Sequence, residues 1–291
     1  MRRMSQVAPF PPRRAAVLIV ALALVTFLPS LGAQNFGLDD IITNFNFAGV
    51  PLGSRPPTTF PSVDPIPQST LYSIGGFPDT GPVTGTVFVQ NALTIAGQPA
   101  RGAVMTTTQG GTGAQYLDTQ FLVTAPLALI QFDLNVMQMP ATGLPQPAPG
   151  ALNGQAFAVN VFGLDSLRLF RFAVTPTSAT GGDFGIRLPD GPGTILPFGS
   201  FTLGETHHFQ FLLNFSAGTV SVYMDGQFET TQALLNPGSG ISEIFMFQNG
   251  VEGITNQIAI GNIMTTVPEP GTTAALWIGA AALVVHARRR R

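Results

Sequence analysis

The adjacent pair His207-His208 is the only histidine pair in this 291-residue chain. Neighbouring side chains on an extended strand point to opposite faces, so the two imidazoles are poorly set to share one metal ion. The spacing instead predicts one packed and one exposed histidine at the start of a strand. Glycoside hydrolysis asks for two carboxylates close together. The glutamates that would supply them, Glu205, Glu229, Glu243 and Glu252, have no acidic neighbour within two positions. A serine elbow would read Gly-x-Ser-x-Gly, which Gly238-Ser239-Gly240 does not match. The chain has no Cys, which excludes a thiolate nucleophile, a disulfide frame and a zinc-thiolate centre. No catalytic residue emerges from these spacings, and the expectation is a protein that is not an enzyme.

The elements that must carry these residues are strands. In Ile130–Val136, the residues Ile130, Phe132, Leu134 and Val136 share one face while Gln131, Asp133 and Asn135 share the other. Phe209, Phe211, Leu213 and Phe215 likewise oppose His208, Gln210 and Asn214. After Ala217-Gly218 a second strand carries Val220, Val222 and Met224 inward. Asp225-Gly226 then supplies the two positive-φ positions of a type I′ turn, and Gln227 to Thr231 returns. Period-two patterning also marks Val83 to Val89, Ala103 to Thr108, Leu117 to Val123, Gln155 to Phe162, Leu167 to Val174, Asp183 to Leu188, Ile241 to Gln248 and Gln257 to Met264. Ala141 to Gly150 and Gly191 to Gly199 read as connectors, and the five prolines of Leu52 to Pro67 read as a long loop without ladder pairing. Many short strands joined by turns predict an all-β, antiparallel β-sandwich.

At the N-terminus, Arg2, Arg3, Arg13 and Arg14 precede the apolar run Ala15 to Leu28 and the small-residue exit Leu31-Gly32-Ala33. That order reads as a secretory signal peptide, 1–33, cut after Ala33. At the other end, Val267-Pro268-Glu269-Pro270 is followed by an apolar run to Val285, a marginal transmembrane helix, and the cluster Arg288, Arg289, Arg290 and Arg291, which would hold its end in the cytoplasm. Between the ends lies one domain, 34–266. Its five arginines against fourteen acids give a net charge of −9, although the whole chain carries only −2. Five scattered cations make no basic patch, so nucleic acid is not an expected partner.

The tail, 267–291, resembles the PEP-CTERM sorting signal of Gram-negative envelope proteins: motif, apolar segment with Trp277, and terminal arginines occur in order. The resemblance implies an exosortase as partner, transient residence in the inner membrane, cleavage near the motif, and delivery to the cell surface or extracellular matrix.

The stretch from Gly204 through Tyr223-Met224-Asp225-Gly226, with the late strand Ile258 to Ile263, resembles the concanavalin A-like, laminin G-like jelly roll. It departs from that pattern in having no Trp ahead of the Tyr-x-Asp-Gly strand, the only Trp being Trp277 in the tail. Some relatives of that kind bind calcium, to which Asp39, Asp40 and Asp118 would offer oxygens. Without an Asp-rich loop these acids read as solvated, and no cofactor is expected. The outward polar residues Asp133, Asn135, Asn214 and Tyr223, with Gln131 and Gln210, would line a sheet face able to hydrogen-bond sugar hydroxyls, or form an ordinary wetted face. The expected function is a structural or adhesive surface protein. A lectin-like module binding exopolysaccharide is the alternative, and a glycoside hydrolase the second alternative.

Overall fold

The computed structural model of the chain describes residues 41–56, 59–60, 69–77, 85–107, 114–139, 156–187, 194–238, 240–249 and 256–267. They form sixteen strands: β1 (Ile41–Phe45), β2 (Thr59–Phe60), β3 (Ser69–Phe77), β4 (Gly85–Ile95), β5 (Gln98–Thr107), β6 (Ala114–Val123), β7 (Leu127–Gln138), β8 (Phe157–Phe162), β9 (Arg168–Pro176), β10 (Gly181–Arg187), β11 (Ile195–Thr202), β12 (Thr206–Asn214), β13 (Thr219–Met224), β14 (Gln227–Ala233), β15 (Ile241–Asn249) and β16 (Asn256–Thr266). The first sheet runs β14-β13-β12-β7-β16-β5-β4 with β1 also on β16; the second runs β11-β10-β9-β8-β15-β6-β3-β2. The pairings are antiparallel.

Alternation decides what lies between the sheets. Ile130, Phe132, Leu134 and Val136 of β7 are buried, as are Phe209, Phe211 and Leu213 of β12. From the second sheet come Phe170, Phe172 and Val174 of β9 and Phe184 of β10. Their rings interlock: Phe132 meets Phe172 edge-on at 5.7 Å and stacks on Phe211 at 5.6 Å, while Phe172 lies 4.9 Å from Phe209. Each buried Phe contributes about 2–3 kcal/mol by removal of apolar surface from water, and each ring pair about 0.5–1.5 kcal/mol more.

Four segments depart from the sequence expectation. The reading of Gly191 to Gly199 as a connector is corrected, since β11 begins at Ile195; Pro197 is tolerated there because β11 is an edge strand, with a bulge in β10 between Phe184 and Gly185. The proline-rich stretch Leu52 to Pro67 contains the short ladder of β2 on β3, also at a sheet edge. Strands β1 and β3 had not been expected. The sorting-motif residues Pro268, Glu269 and Pro270, Arg288 to Arg291, the expected cleavage position Ala33, the segments expected to form the two end helices, and Asp39-Asp40 lie outside the described residues. Val267 is described, and it packs against the core.

Candidate functional site

The outer face of the first sheet is not an open polar surface. The hairpin of β4 and β5 turns through Ala96 and Gly97, both at positive φ, and β4 is bulged between Asn91 and Leu93. Its end lies against the outer face: Ala92, Leu93, Val104 and Ala259 form a small second core there. The Thr94 amide donates to Thr206 Oγ1 on β12 at 2.9 Å, and Asn135 Nδ2 on β7 donates to the Ala92 carbonyl at 2.8 Å. Gly261 of β16 permits the approach, because a Cβ there would meet Leu93 Cδ1 at 2.7 Å. The expectation of a wetted face is therefore corrected at Asn135, which is buried beneath the hairpin and holds it.

Beside the hairpin end is a recess of about 330 Å³, whose polar lining comes from Asn44, Asn46, Gln131, Asp133, His208 and Asn262, with Ile95 and Met264 as apolar walls. Cross-strand register builds it. Asp133 of β7 pairs with His208 of β12 on one side and Gly261 of β16 on the other. His208 Nδ1 and Asp133 Oδ1 hydrogen-bond at 2.8 Å. Asn262 stands at φ 48 where β16 loses register between Gly261 and Met264, and its Nδ2 donates to Asp133 Oδ2 at 2.5 Å. Asp133 is thus buried, with both oxygens engaged, which corrects its reading as a wetted residue.

Each sequence-stated candidate has a definite place. Asp133 lines the recess. Asn135 braces the hairpin, and Asn214 accepts from the Ala217 amide at 2.9 Å in the turn after β12. Tyr223 lies on β13 opposite Gln210, its ring edge-on to Phe228 at 5.6 Å. The four are not gathered into one site. His208, Asn262, Asn44 and Asn46 were not among the glycan candidates; the alternation put His208 on the Asp133 face, but only the β16 bulge brings Asn262 in.

The histidines divide as expected between two faces. His207 is the packed one, edge-on to Phe184 at 5.4 Å, and its Nδ1 bonds Asp225 at 2.8 Å. Asp225 and Gly226 adopt φ 51 and 78, the turn expected, and the Asp225 carboxylate also accepts from the His208 amide at 2.8 Å, tying that turn to β12. Among the described residues no group of three His, Asp or Glu is placed to hold a metal ion. Asp118 is buried on β6, not solvated as expected.

No protein-family profile matches the chain, and no curated protein does. Among solved structures it is similar to a sialidase (13% identity, TM-score 0.46), covering 70% of this chain but only 19% of that one. It is also similar to the Emp47p carbohydrate recognition domain (8%, TM-score 0.42, covering 81% and 98%) and to the PL7 alginate lyase AlyA1 from Zobellia galactanivorans (12%, TM-score 0.39, covering 62% and 79%). The likeness is one of fold alone.

Proposed function

We propose that this chain is an exported, non-enzymatic protein of the cell surface or extracellular matrix, sorted by an exosortase and serving a structural or adhesive role through a jelly-roll body. The observation that carries the sorting reading is the ordered tail: Val267-Pro268-Glu269-Pro270, apolar run, then Arg288 to Arg291. The proposal divides the chain into a signal peptide to Ala33, the body, and the tail from Val267. The recess supports binding over catalysis in this reading, because its lining holds one carboxylate, already bonded twice, and no hydroxyl or amine nucleophile.

Fractionation and intact mass in the native host, with and without the exosortase gene, test the sorting. The expected result is a mature form beginning near Gln34, lacking the terminal arginines, and found outside the inner membrane only when the exosortase is present. A full-length chain held in the inner membrane in both strains would overturn it.

One observation favours a more specific, lectin-like reading. Amides, an imidazole and a carboxylate beside Ile95 and Met264 are the donor, acceptor and apolar groups that hold a sugar's hydroxyls and C–H face. A glycan array with His208→Ala as control tests it: saturable binding lost in the variant is expected, and equal signals from both proteins would sink it.

A further inference from the structure

Three of the body's five arginines meet on the outer face of the second sheet. Phe170 and Phe172 of β9 face the core, so Arg171 between them faces outward, opposite Asn160 of β8. Arg187 ends β10 one residue beyond the Ile186–Phe172 pair, which sets it across from Arg171. Arg168 would face the core on a regular strand. The ladder slips there, Val161 pairing with Phe170 and Phe162 with Arg168, so Leu169 is the extra residue and Arg168 comes to the outer face.

In a body with fourteen acids, none forms an ion pair with these cations among the described residues. Asp183, Glu243 and Asp118 occupy the same sheet face. The Nε atoms of Arg168, Arg171 and Arg187 are each sealed from solvent without an acceptor; the terminal guanidinium nitrogens are not among the atoms both sealed and unpartnered. Burial, and then the charges of Arg168 and Arg187, push the Arg171 guanidinium down to about 9; burial and Arg187 lower Arg168 as well. Such an arrangement works against the fold, since buried cations are ordinarily paired.

Aromatic rings hold two of the forks in place. Arg168 lies over Phe162 at 5.7 Å and Arg171 over Phe247 at 5.5 Å. Each ring fixes the position of its guanidinium by a cation–π contact, and the terminal N–H groups can still donate to an acceptor, as in charge-assisted carboxylate recognition. Arg168 and Arg171 stand opposite Phe162 and Asn160, two ladder positions apart on β8 or about 7 Å, and Arg187 lies across from Arg171. The two oxygens of one carboxylate are filled by a single bidentate fork, so three forks along the face match a row of anionic groups.

We propose that Arg168, Arg171 and Arg187 form a docking site for the carboxylate groups of an acidic polysaccharide on the outer face of β8, β9 and β10. Choosing a polysaccharide rests on the export reading above; the arginine cluster itself does not. Acids elsewhere in the body, at a net −9, disfavour a general polyanion contact and reserve binding for a ligand that reaches this patch.

Titration calorimetry on the full chain in mild detergent tests it, with polygalacturonate as probe and dextran, monomeric galacturonate and inorganic polyphosphate as controls. Polygalacturonate is expected to bind saturably and to weaken with salt, while dextran, which offers no charged acceptor, and monomeric galacturonate, which offers one, bind at least about tenfold more weakly. Arg187→Gln and Arg171→Gln should each lose about tenfold in affinity. A purely structural role predicts lower melting temperatures in these variants, whereas relief of unpaired cations predicts unchanged or higher ones together with the loss of binding. Equal binding of dextran or polyphosphate, monomer as tight as polymer, or variants that bind like the parent would overturn the proposal. None of these readouts depends on where the cell sends the protein, so a failed sorting experiment and a failed docking experiment are told apart.

Discussion

The two outer faces of the sandwich treat their charged groups in opposite ways. On the first sheet, Asp133 is buried but bonded by His208 and Asn262, and Asp225 is bonded by His207 and the His208 amide. On the second sheet, three arginines stand together with no carboxylate paired to them among the described residues. The carboxylates of the first arrangement are satisfied within the chain. The second lacks its complement within the described residues, which is what makes it a candidate for a ligand from outside.

Substitution should expose that opposition. Asp133→Ala removes the acceptor for two side chains and is expected to cost about 2–3 kcal/mol in urea denaturation. Arg171→Met, by contrast, removes a buried unpaired cation and should raise stability by about 1–2 kcal/mol; a loss of that size would mean the guanidinium is satisfied, and the contrast between faces would collapse.

pH sharpens the same contrast. The Arg171 pKa is lowered on folding, from its ordinary value to about 9, so above about pH 9 the unfolded chain holds the proton that the folded chain releases. Stability should therefore rise by on the order of 1 kcal/mol as pH climbs from about 8 to 10. Arg171→Met should lack that rise, as followed by melting in matched buffers. The smallest effect belongs to the hairpin cover: Thr206→Val deletes the acceptor for the Thr94 amide, costs about 0.5–1 kcal/mol, and should speed hydrogen exchange at that amide without altering exchange in β8 to β10.

Legibility from sequence followed regularity of the strands. β7, β12 and β13 were plain because one face is uninterrupted Ile, Phe, Leu and Val while the other is polar. β11 was hidden by Pro197 and Gly199, residues that argue against a ladder except at an edge, and being at an edge is a property of the sheet order alone. The recess was half legible: alternation put Asp133 and His208 on outward faces of their strands, but nothing in the chain order tells that β7 and β12 are neighbours.

The amino-acid order by itself determined the antiparallel β class, the Asp225-Gly226 turn, the opposed faces of His207 and His208, and the composition that excludes thiol chemistry, since each depends on side-chain type and a two-residue period. Tertiary structure decided which faces remained open and which charges met. Arg168 and Arg171, three apart, belong to opposite faces of a regular strand; a bulge against β8 puts them on one, and β10 adds Arg187. Bulges and strand order arise from packing between distant segments, so the cluster they create has no local signature.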